Sequence, residues 1–351
     1  MAARVQEQAR IASGGPMSPP PGGRRALARA AEEIAREGRG AALAVVVATR
    51  GSTYRKPGAL VLLDAGGVCV GALSGGCLEA ELEEHAREVI EAACAKRVQF
   101  DTRDDGDRVF GSGSGCRGLM DVLVLPLPAS GAPLRDALID SAQCASSMSI
   151  ELATDAEWIG CGEVRVAARS WRFDAGGRAF TGTWPVAASV LLNVAPEPRL
   201  LLLGAGPETP FLLAMIAVLG WHAEIVERRE RWRGYARDIG PEPAHAAGLD
   251  GLAGLLDTQP FDAALVMNHN FDLDARCLRE LAPATIDYVG LLGPRERRDA
   301  LLGELGEALA EQLKPRLHAP VGLDLGGEGP EAIALAIIAE LHKHLAGLAN
   351  A

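Results

Sequence analysis

Two cysteines sit inside glycine-rich turns: Cys77 in Ser-Gly-Gly-Cys-Leu-Glu (74–79) and Cys116 in Gly-Ser-Gly-Ser-Gly-Cys-Arg-Gly (111–118). Glycine lets a ligand approach the backbone closely and turns its N–H groups outward. A thiol among such donors is placed where a thiolate or a bound anion is stabilised. Cys116 follows Gly113 and Gly115 and precedes the fixed charge of Arg117, which makes it the stronger candidate for chemistry. Cys77 admits two readings. It is either a thiol at a helix start, in an anion site made by Ser74, Gly75 and Gly76, or a small buried thiol facing a hairpin. Ser52 and Arg55, in Gly51-Ser-Thr-Tyr-Arg-Lys-Pro-Gly58, have the chemistry to hold a phosphate or carboxylate. Taken alone, that loop's basic pair is solvated surface.

A second constellation lies in the C-terminal half. Gly204-x-Gly206-x-x-Thr209 follows an apolar strand and opens an apolar helix, and Glu227 ends the next strand. Strand, glycine turn, helix, strand and an acid about 20 residues on is the order of a dinucleotide site, the acid meeting the ribose. Thr209 stands where a third glycine is usual, and Pro207 removes one N–H from the turn. His269 and Asp274 follow a strand ending at Met267 and are candidate polar site residues or metal ligands. A helix cap by Asp272 is the plainer account of that segment.

These residues need elements to hold them. Residues 24–127 read as an α/β unit. A helix from Arg24 is stopped by Gly38 and Gly40, and an apolar strand covers 43–49. Runs at 60–63 and 68–73 flank Asp64-Ala-Gly-Gly67 as a hairpin, a helix starts near Ser74, and strands cover 97–102 and 119–125. Residues 128–198 read as a β-rich connecting region, with helical signal at 133–142 and short strand-like pieces at 149–152, 164–166 and 190–192. From 199 to 345, strands at 199–203, 222–226, 262–267 and 287–292 alternate with helices at 211–219, 272–281, 294–310 and 330–345. That alternation predicts a Rossmann-like, doubly wound parallel sheet, so the chain is α/β throughout. Residues 1–23 end in a Gly/Pro/Ser-rich run that cannot bury enough apolar surface to order itself, and form a tail.

Bulk properties exclude several classes. At 351 residues, two domains are expected. A net charge of −11 and only 4% aromatic residues argue against a nucleic-acid partner. Seven scattered cysteines with no C-x-x-C pair argue against a disulfide framework and point to a reducing compartment. No stretch has the length of a membrane span and no apolar leader is visible, so a cytoplasmic location is expected.

Taken together, the motifs resemble those of one family. Gly51-Ser…Arg55…Gly58-Ala59, Ser74-Gly-Gly-Cys-Leu-Glu79 and Gly115-Cys116-x-Gly118 are similar to the N-terminal module of the xanthine dehydrogenase accessory factor (XdhC/CoxI) family. Gly204-Ala-Gly206, His269…Asp274, Tyr288-Val-Gly-Leu-Leu-Gly293-x-Arg295, His318-Ala-Pro-Val-Gly-Leu-Asp-Leu-Gly326, Pro330-Glu331 and Ala339-Glu340 are similar to its Rossmann module. The resemblance implies a protein that binds molybdenum cofactor (molybdopterin), assists its maturation or sulfuration, and inserts it into a xanthine-dehydrogenase-type or CO-dehydrogenase-type molybdoenzyme. Such a protein is an accessory factor rather than a turnover enzyme. The implied associations are the client molybdoenzyme, a cysteine desulfurase and a second copy of the chain; NAD(P) is the second cofactor considered. In this reading Cys116 contacts the molybdenum or handles sulfur. Cys77, Ser52, Arg55, Ser74, Gly75, Gly76, Glu79, Gly113, Gly115 and Arg117 line its pocket, while Gly204, Gly206, Glu227, His269 and Asp274 form the Rossmann site. The family commonly has His where this chain has Pro207, and Gly where it has Arg117. Two other readings compete: an NAD(P)-dependent oxidoreductase, and a non-catalytic scaffold for a molybdoenzyme.

Overall fold

Strand β1 (Ala41–Gly51) carries seven consecutive buried residues, so both of its faces must be covered. Its alternation divides them: Leu43, Val45 and Val47 enter one core, and Ala42, Ala44 and Val46 the other. The structure, a computed structural model, describes residues 23–103, 117–144, 146–184, 189–232, 244–245 and 248–349. β1 pairs antiparallel with β2 (Leu60–Asp64) and with β5 (Gly118–Leu127). β3 (Gly67–Val70) and β4 (Lys96–Asp101) complete a five-stranded sheet in the order β3-β2-β1-β5-β4. The predicted hairpin is present as β2 and β3, paired Leu63 to Val68.

One face of this sheet is covered by helix α2 (Glu79–Ala92), through Leu82, Ala86 and Val89, with Leu78 just before it. The helix starts later than the apolar stripe suggested, because residues 74–78 are spent in a turn closed by Glu79. The other face meets α1 (Gly23–Arg36), α3 (Pro133–Gln143) and a second antiparallel sheet. That sheet has the order β8-β7-β6-β9, built from β6 (Met148–Ala153), β7 (Gly162–Val166), β8 (Arg169–Phe173) and β9 (Ser189–Val194). Ile150, Leu152, Val164 and Val166 share one core with Leu43, Val45 and Leu125. Residues 128–198 are therefore the second layer of the N-terminal half rather than a tether.

The C-terminal half is a six-stranded parallel sheet of β10 (Arg199–Leu203), β11 (His222–Val226), β12 (Ala244–His245), β13 (Ala263–Val266), β14 (Tyr288–Leu291) and β15 (Leu317–His318). The order β12-β11-β10-β13-β14-β15 is 3-2-1-4-5-6 counted along this half, the Rossmann order. Its described helices are α4 (Thr209–Leu219), α5 (Leu252–Thr258), α6 (Phe271–Leu281), α7 (Arg295–Leu305), α8 (Glu307–Leu313) and α9 (Pro330–Ala349). The helix expected over 294–310 is split at Gly306, whose φ of 80° is left-handed. Leu201 and Leu203 face one core while Leu200 and Leu202 face the other, so both faces are buried.

The halves meet at the linker before β10. Arg24 Nε donates to Glu197 at 2.9 Å, and the His222 N–H donates to the Pro198 carbonyl at 2.8 Å. His222 is buried there near Arg25, Arg199 and Arg24, and burial with those charges depresses its pKa to about 3.

Candidate functional site

The strand pairing collects the N-terminal motifs at one edge of the five-stranded sheet. β1 ends at Gly51 opposite Gly118, where β5 begins, and β4 ends at Asp101 opposite Leu119. β2 starts at Leu60 opposite Val45, and β3 ends at Val70 opposite Leu62. The segments 52–59 and 71–78, and the described residues 102–103 and 117, therefore all lie at the same edge. The contact there is close: the Ser52 N–H donates to the Arg117 carbonyl at 3.3 Å, and Thr102 donates to the Gly118 carbonyl through both N–H and hydroxyl at 2.9 Å. A Cβ at Gly51 would lie 2.5 Å from the Arg117 oxygen, and one at Gly118 would lie 2.3 Å from the Ser52 oxygen. Glycine is required at both positions. Ser52 is exposed and Arg55 half-buried. Cys116, Gly113 and Gly115 lie outside the described residues.

The turn at 74–79 does form an anion site, and the chain fills it itself. The N–H groups of Leu73, Ser74 and Leu78 donate to the Glu79 carboxylate at 3.2, 2.8 and 3.2 Å, and the Ser74 hydroxyl donates to it as well. Ser74 Oγ also accepts from Gly76 and Leu78, both at 3.1 Å. Burial works to raise the Glu79 carboxyl, but the Ser74 hydroxyl and these amides outweigh it and hold the group below the usual carboxylate range. The Ser74 and Gly76 donors expected to face a ligand are thus already committed, because an acid at the first residue of α2 reaches back over them. Cys77 is exposed on the outside of this turn, and a Cβ on Gly75 or Gly76 would meet nothing within 4 Å. The buried-thiol reading of Cys77 does not hold. Cys277, by contrast, is buried, and desolvation pushes its thiol up to about 12.

In the C-terminal half the glycine turn after β10 presses against the turn after β13, at the point where the strand order reverses. Gly204 has φ 92°, and a Cβ there would lie 2.6 Å from Asn268 Cα. A Cβ on Gly206 would lie 2.5 Å from Glu208 Oε1 and 2.6 Å from His269 Nε2, so this glycine makes room for two side chains. The Gly206 N–H is taken by Thr209 Oγ1 at 2.8 Å. Glu208, at the N-terminal end of α4, is 3% exposed, and its Oε1 lacks a hydrogen-bond partner. His269, held at φ 55°, brings Nε2 within 3.4 Å of that oxygen without lining up an N–H on it. The carboxylate raises the His269 pKa against the opposing effect of burial.

Glu227 directly follows β11, where the fingerprint requires an acid, but it is not open. Arg229 donates to it from Nε at 2.9 Å, from its terminal nitrogen at 2.7 Å and from its own N–H at 2.7 Å, and also reaches the Ala205 carbonyl at 2.6 Å. Burial alone would raise the Glu227 carboxyl, and these bonds lower it instead. Asp274 is fully buried and accepts from Asn268 N–H at 3.2 Å, Asn268 Nδ2 at 3.0 Å and Arg297 at 2.6 Å. It pins the 268–270 turn, and Asn270, not Asp272, caps α6 by accepting from the Leu273 N–H. A pocket of about 280 Å³ opens beside these turns, lined by Glu227, Arg228, Arg229, Asn268, His269 and Asn270 among others. Among the described residues no three or more His, Cys, Asp or Glu side chains gather as a metal site.

Glu208, Arg229 and Asn268 were not singled out by sequence. An acid at a helix start is ordinary, and nothing local marks this one as buried. The motifs around Tyr288, His318 and Glu340 also converge. The Tyr288 and His318 rings stack at 3.9 Å, and His318 Nδ1 lies 2.8 Å from Glu340 Oε1.

Among the described residues no helix is long and apolar enough to cross a membrane. A family model described as the XdhC Rossmann domain matches residues 200–341, and one described as the XdhC and CoxI family matches residues 34–101. A probable xanthine dehydrogenase subunit of Bacillus subtilis (strain 168) is 26% identical over 326 residues, 86% of this chain and 92% of that protein. "Uncharacterized protein YqeB" of Escherichia coli (strain K12) is 32% identical over 164 residues, 44% of this chain but only 29% of that protein. A crystal structure of a xanthine dehydrogenase from Bacillus halodurans superposes with a TM-score of 0.72 at 26% identity, covering 91% of this chain and 96% of that one. With one model matching each half and a single relative aligned across nearly the whole length, the chain belongs to the XdhC and CoxI family.

Proposed function

We propose that this chain is an accessory factor that binds molybdenum cofactor at the loop-bearing edge of its N-terminal sheet and inserts it into a xanthine-dehydrogenase-type or CO-dehydrogenase-type molybdoenzyme. The observation that carries the reading is that segments 52–59 and 71–78 leave the same side of the sheet as the strand ends at Asp101 and Gly118, which flank the Cys116 loop in sequence. Family membership and the names of the two Bacillus relatives support the client class. The donors present fit the group. An exposed thiol, Cys77, suits a soft molybdenum–dithiolene centre, and Arg55 and Lys56 suit a terminal phosphate. Because the 74–79 turn is closed by Glu79, the phosphate is assigned to those basic side chains rather than to its amides. Bound molybdenum cofactor supplies the metal–sulfur chemistry; the protein's part is to hold and shield it until transfer. Cys116 is the ligand thiol of this proposal, and a cysteine desulfurase and a second copy of the chain are its further partners.

The test is retention of molybdenum and pterin fluorescence by the purified full chain after mixing with molybdenum cofactor and desalting. Wild-type protein retains both, and Cys116→Ala loses most of the signal. Equal retention by the variant removes the thiol assignment, and no retention by wild type removes the proposal. The 3-2-1-4-5-6 sheet with a pocket at its crevice favours one second reading, an NAD(P)-dependent oxidoreductase. Oxidation of NAD(P)H by a small carbonyl substrate, without cofactor retention, would select it.

A further inference from the structure

A Rossmann turn ordinarily offers a pyrophosphate free N–H groups and the positive end of a helix. This one withholds them. Pro207 has no N–H, the Gly206 N–H is committed to Thr209 Oγ1, and a buried carboxylate stands at the start of α4. A bare diphosphate at this turn would have the Glu208 carboxylate close behind it and would lack the Gly206 N–H. Yet Glu208 is not a closed structural group either: its Oε1 is buried, has no hydrogen-bond partner, and faces His269 Nε2 at 3.4 Å. A buried carboxylate oxygen with one ion-pair contact and no aligned hydrogen bond has coordination left to fill.

The spacing says what. Two donors each about 2.1 Å from one ion, at a near-tetrahedral angle, lie about 3.4 Å apart. The Glu208 and His269 atoms have that separation. The left-handed backbone of His269 and the missing Cβ of Gly206 are the two features that let both side chains reach the spot. We propose that Glu208 and His269 form a divalent-cation site, and that the ligand it takes is the metal-chelated diphosphate of a nucleotide lying in the adjoining pocket. An imidazole and a carboxylate suit Mn²⁺ or Zn²⁺, and the remaining positions go to water and to phosphate oxygens. The cation reverses the sign of the turn: a site that repels a free diphosphate accepts a chelated one. Arg228, on the pocket wall, adds positive charge toward the same ligand. This assignment goes beyond the molybdenum cofactor reading and involves none of the residues at the N-terminal sheet edge.

The test uses the full chain, stripped with EDTA, with Mn²⁺ and ADP as probes, read by Mn²⁺ electron paramagnetic resonance and calorimetry. Wild type binds ADP at least tenfold more tightly with Mn²⁺ than in EDTA. Glu208→Gln, of the same shape, loses at least tenfold of the Mn²⁺–ADP affinity, and His269→Asn, which tolerates the left-handed backbone, loses a similar factor. Ligand-free thermal midpoints of both variants show that they are folded. If Glu208→Gln instead binds ADP more tightly with or without Mn²⁺, the carboxylate only repels anions and the proposal is wrong. Equal ADP binding in EDTA and Mn²⁺, or no binding under either condition, also overturns it. Molybdenum cofactor is absent from the assay, so each of these failures leaves the molybdenum cofactor reading untouched.

Discussion

The turns at 74–79 and 204–209 are built from the same materials: glycines, a hydroxyl residue, and a glutamate where a helix begins. In the first, Glu79 is the opening residue of α2 and folds back to accept from three backbone N–H groups and Ser74 Oγ. In the second, Glu208 lies just before α4 and makes no capping bond, while Thr209 takes the amide a carboxylate or phosphate would want. A shift of one position relative to the helix start separates a carboxylate closed by four donors from one with a single ion-pair contact, His269 at 3.4 Å. The comparison teaches that an acid beside a glycine turn is uninformative until the destination of each amide is known.

The largest contrast expected is at the glycines. Gly204→Ala forces a left-handed residue into contact with the Asn268 backbone and should cost about 3 kcal/mol or more. Gly75→Ala meets open space and should stay within about 0.5 kcal/mol of wild type. Urea unfolding followed by circular dichroism compares the two, and similar midpoints would mean the second turn is not the tightly packed one. Next come the carboxylates. Glu79→Ala strands the Leu73 and Ser74 N–H groups and should cost about 2 kcal/mol, whereas Glu208→Ala removes a buried carboxylate with one 3.4 Å ion-pair contact and should cost less than about 1 kcal/mol. Equal losses would break the comparison outright.

The same pair differs with pH. Glu79 has a depressed pKa, so its contribution is present above the unfolded carboxylate value of about 4.3 and disappears as pH falls through the folded value. Glu79→Gln should therefore flatten the acid side of the stability profile below about pH 4. A profile that keeps its wild-type slope would place the acid sensitivity elsewhere. The smallest effect concerns Cys77. Its thiol should alkylate in the native protein while Cys277 reacts only on unfolding, and Cys77→Ser should change stability by less than about 0.5 kcal/mol. Mass spectrometry of native and denatured samples decides it, and a protected Cys77 would mean the outside of the first turn is covered.

The parallel half was readable because its strands are uninterrupted apolar runs such as Arg199–Leu203 and Ala263–Val266, buried on both faces. β8 was not, since in Arg-Ser-Trp-Arg-Phe only Phe173 is buried and the rest is rim. β12 and β15, at two residues each, are too short to carry a period. For the site, sequence located Glu227 and Gly206 but not what they touch. Arg229 lies two residues from Glu227, and its bidentate grip depends on the chain turning sharply after β11. The Ser74 turn is legible as an anion site, but nothing local shows that Glu79, five residues on, is its occupant.

The shared core of the N-terminal half bears on how such a protein can be inherited. The family segment at 34–101 stops before β5, which supplies one neighbour of β1, and before the second sheet, which covers its lower face. A gene fission or fusion anywhere between 102 and 194 would hand one descendant a sheet with a bare hydrophobic side. Recombination at the linker near 195–198 leaves the cores of each half whole, at the cost of the Arg24–Glu197 bond. Shuffling of this architecture is thus confined to one seam, and the two halves can be traded only as complete pieces.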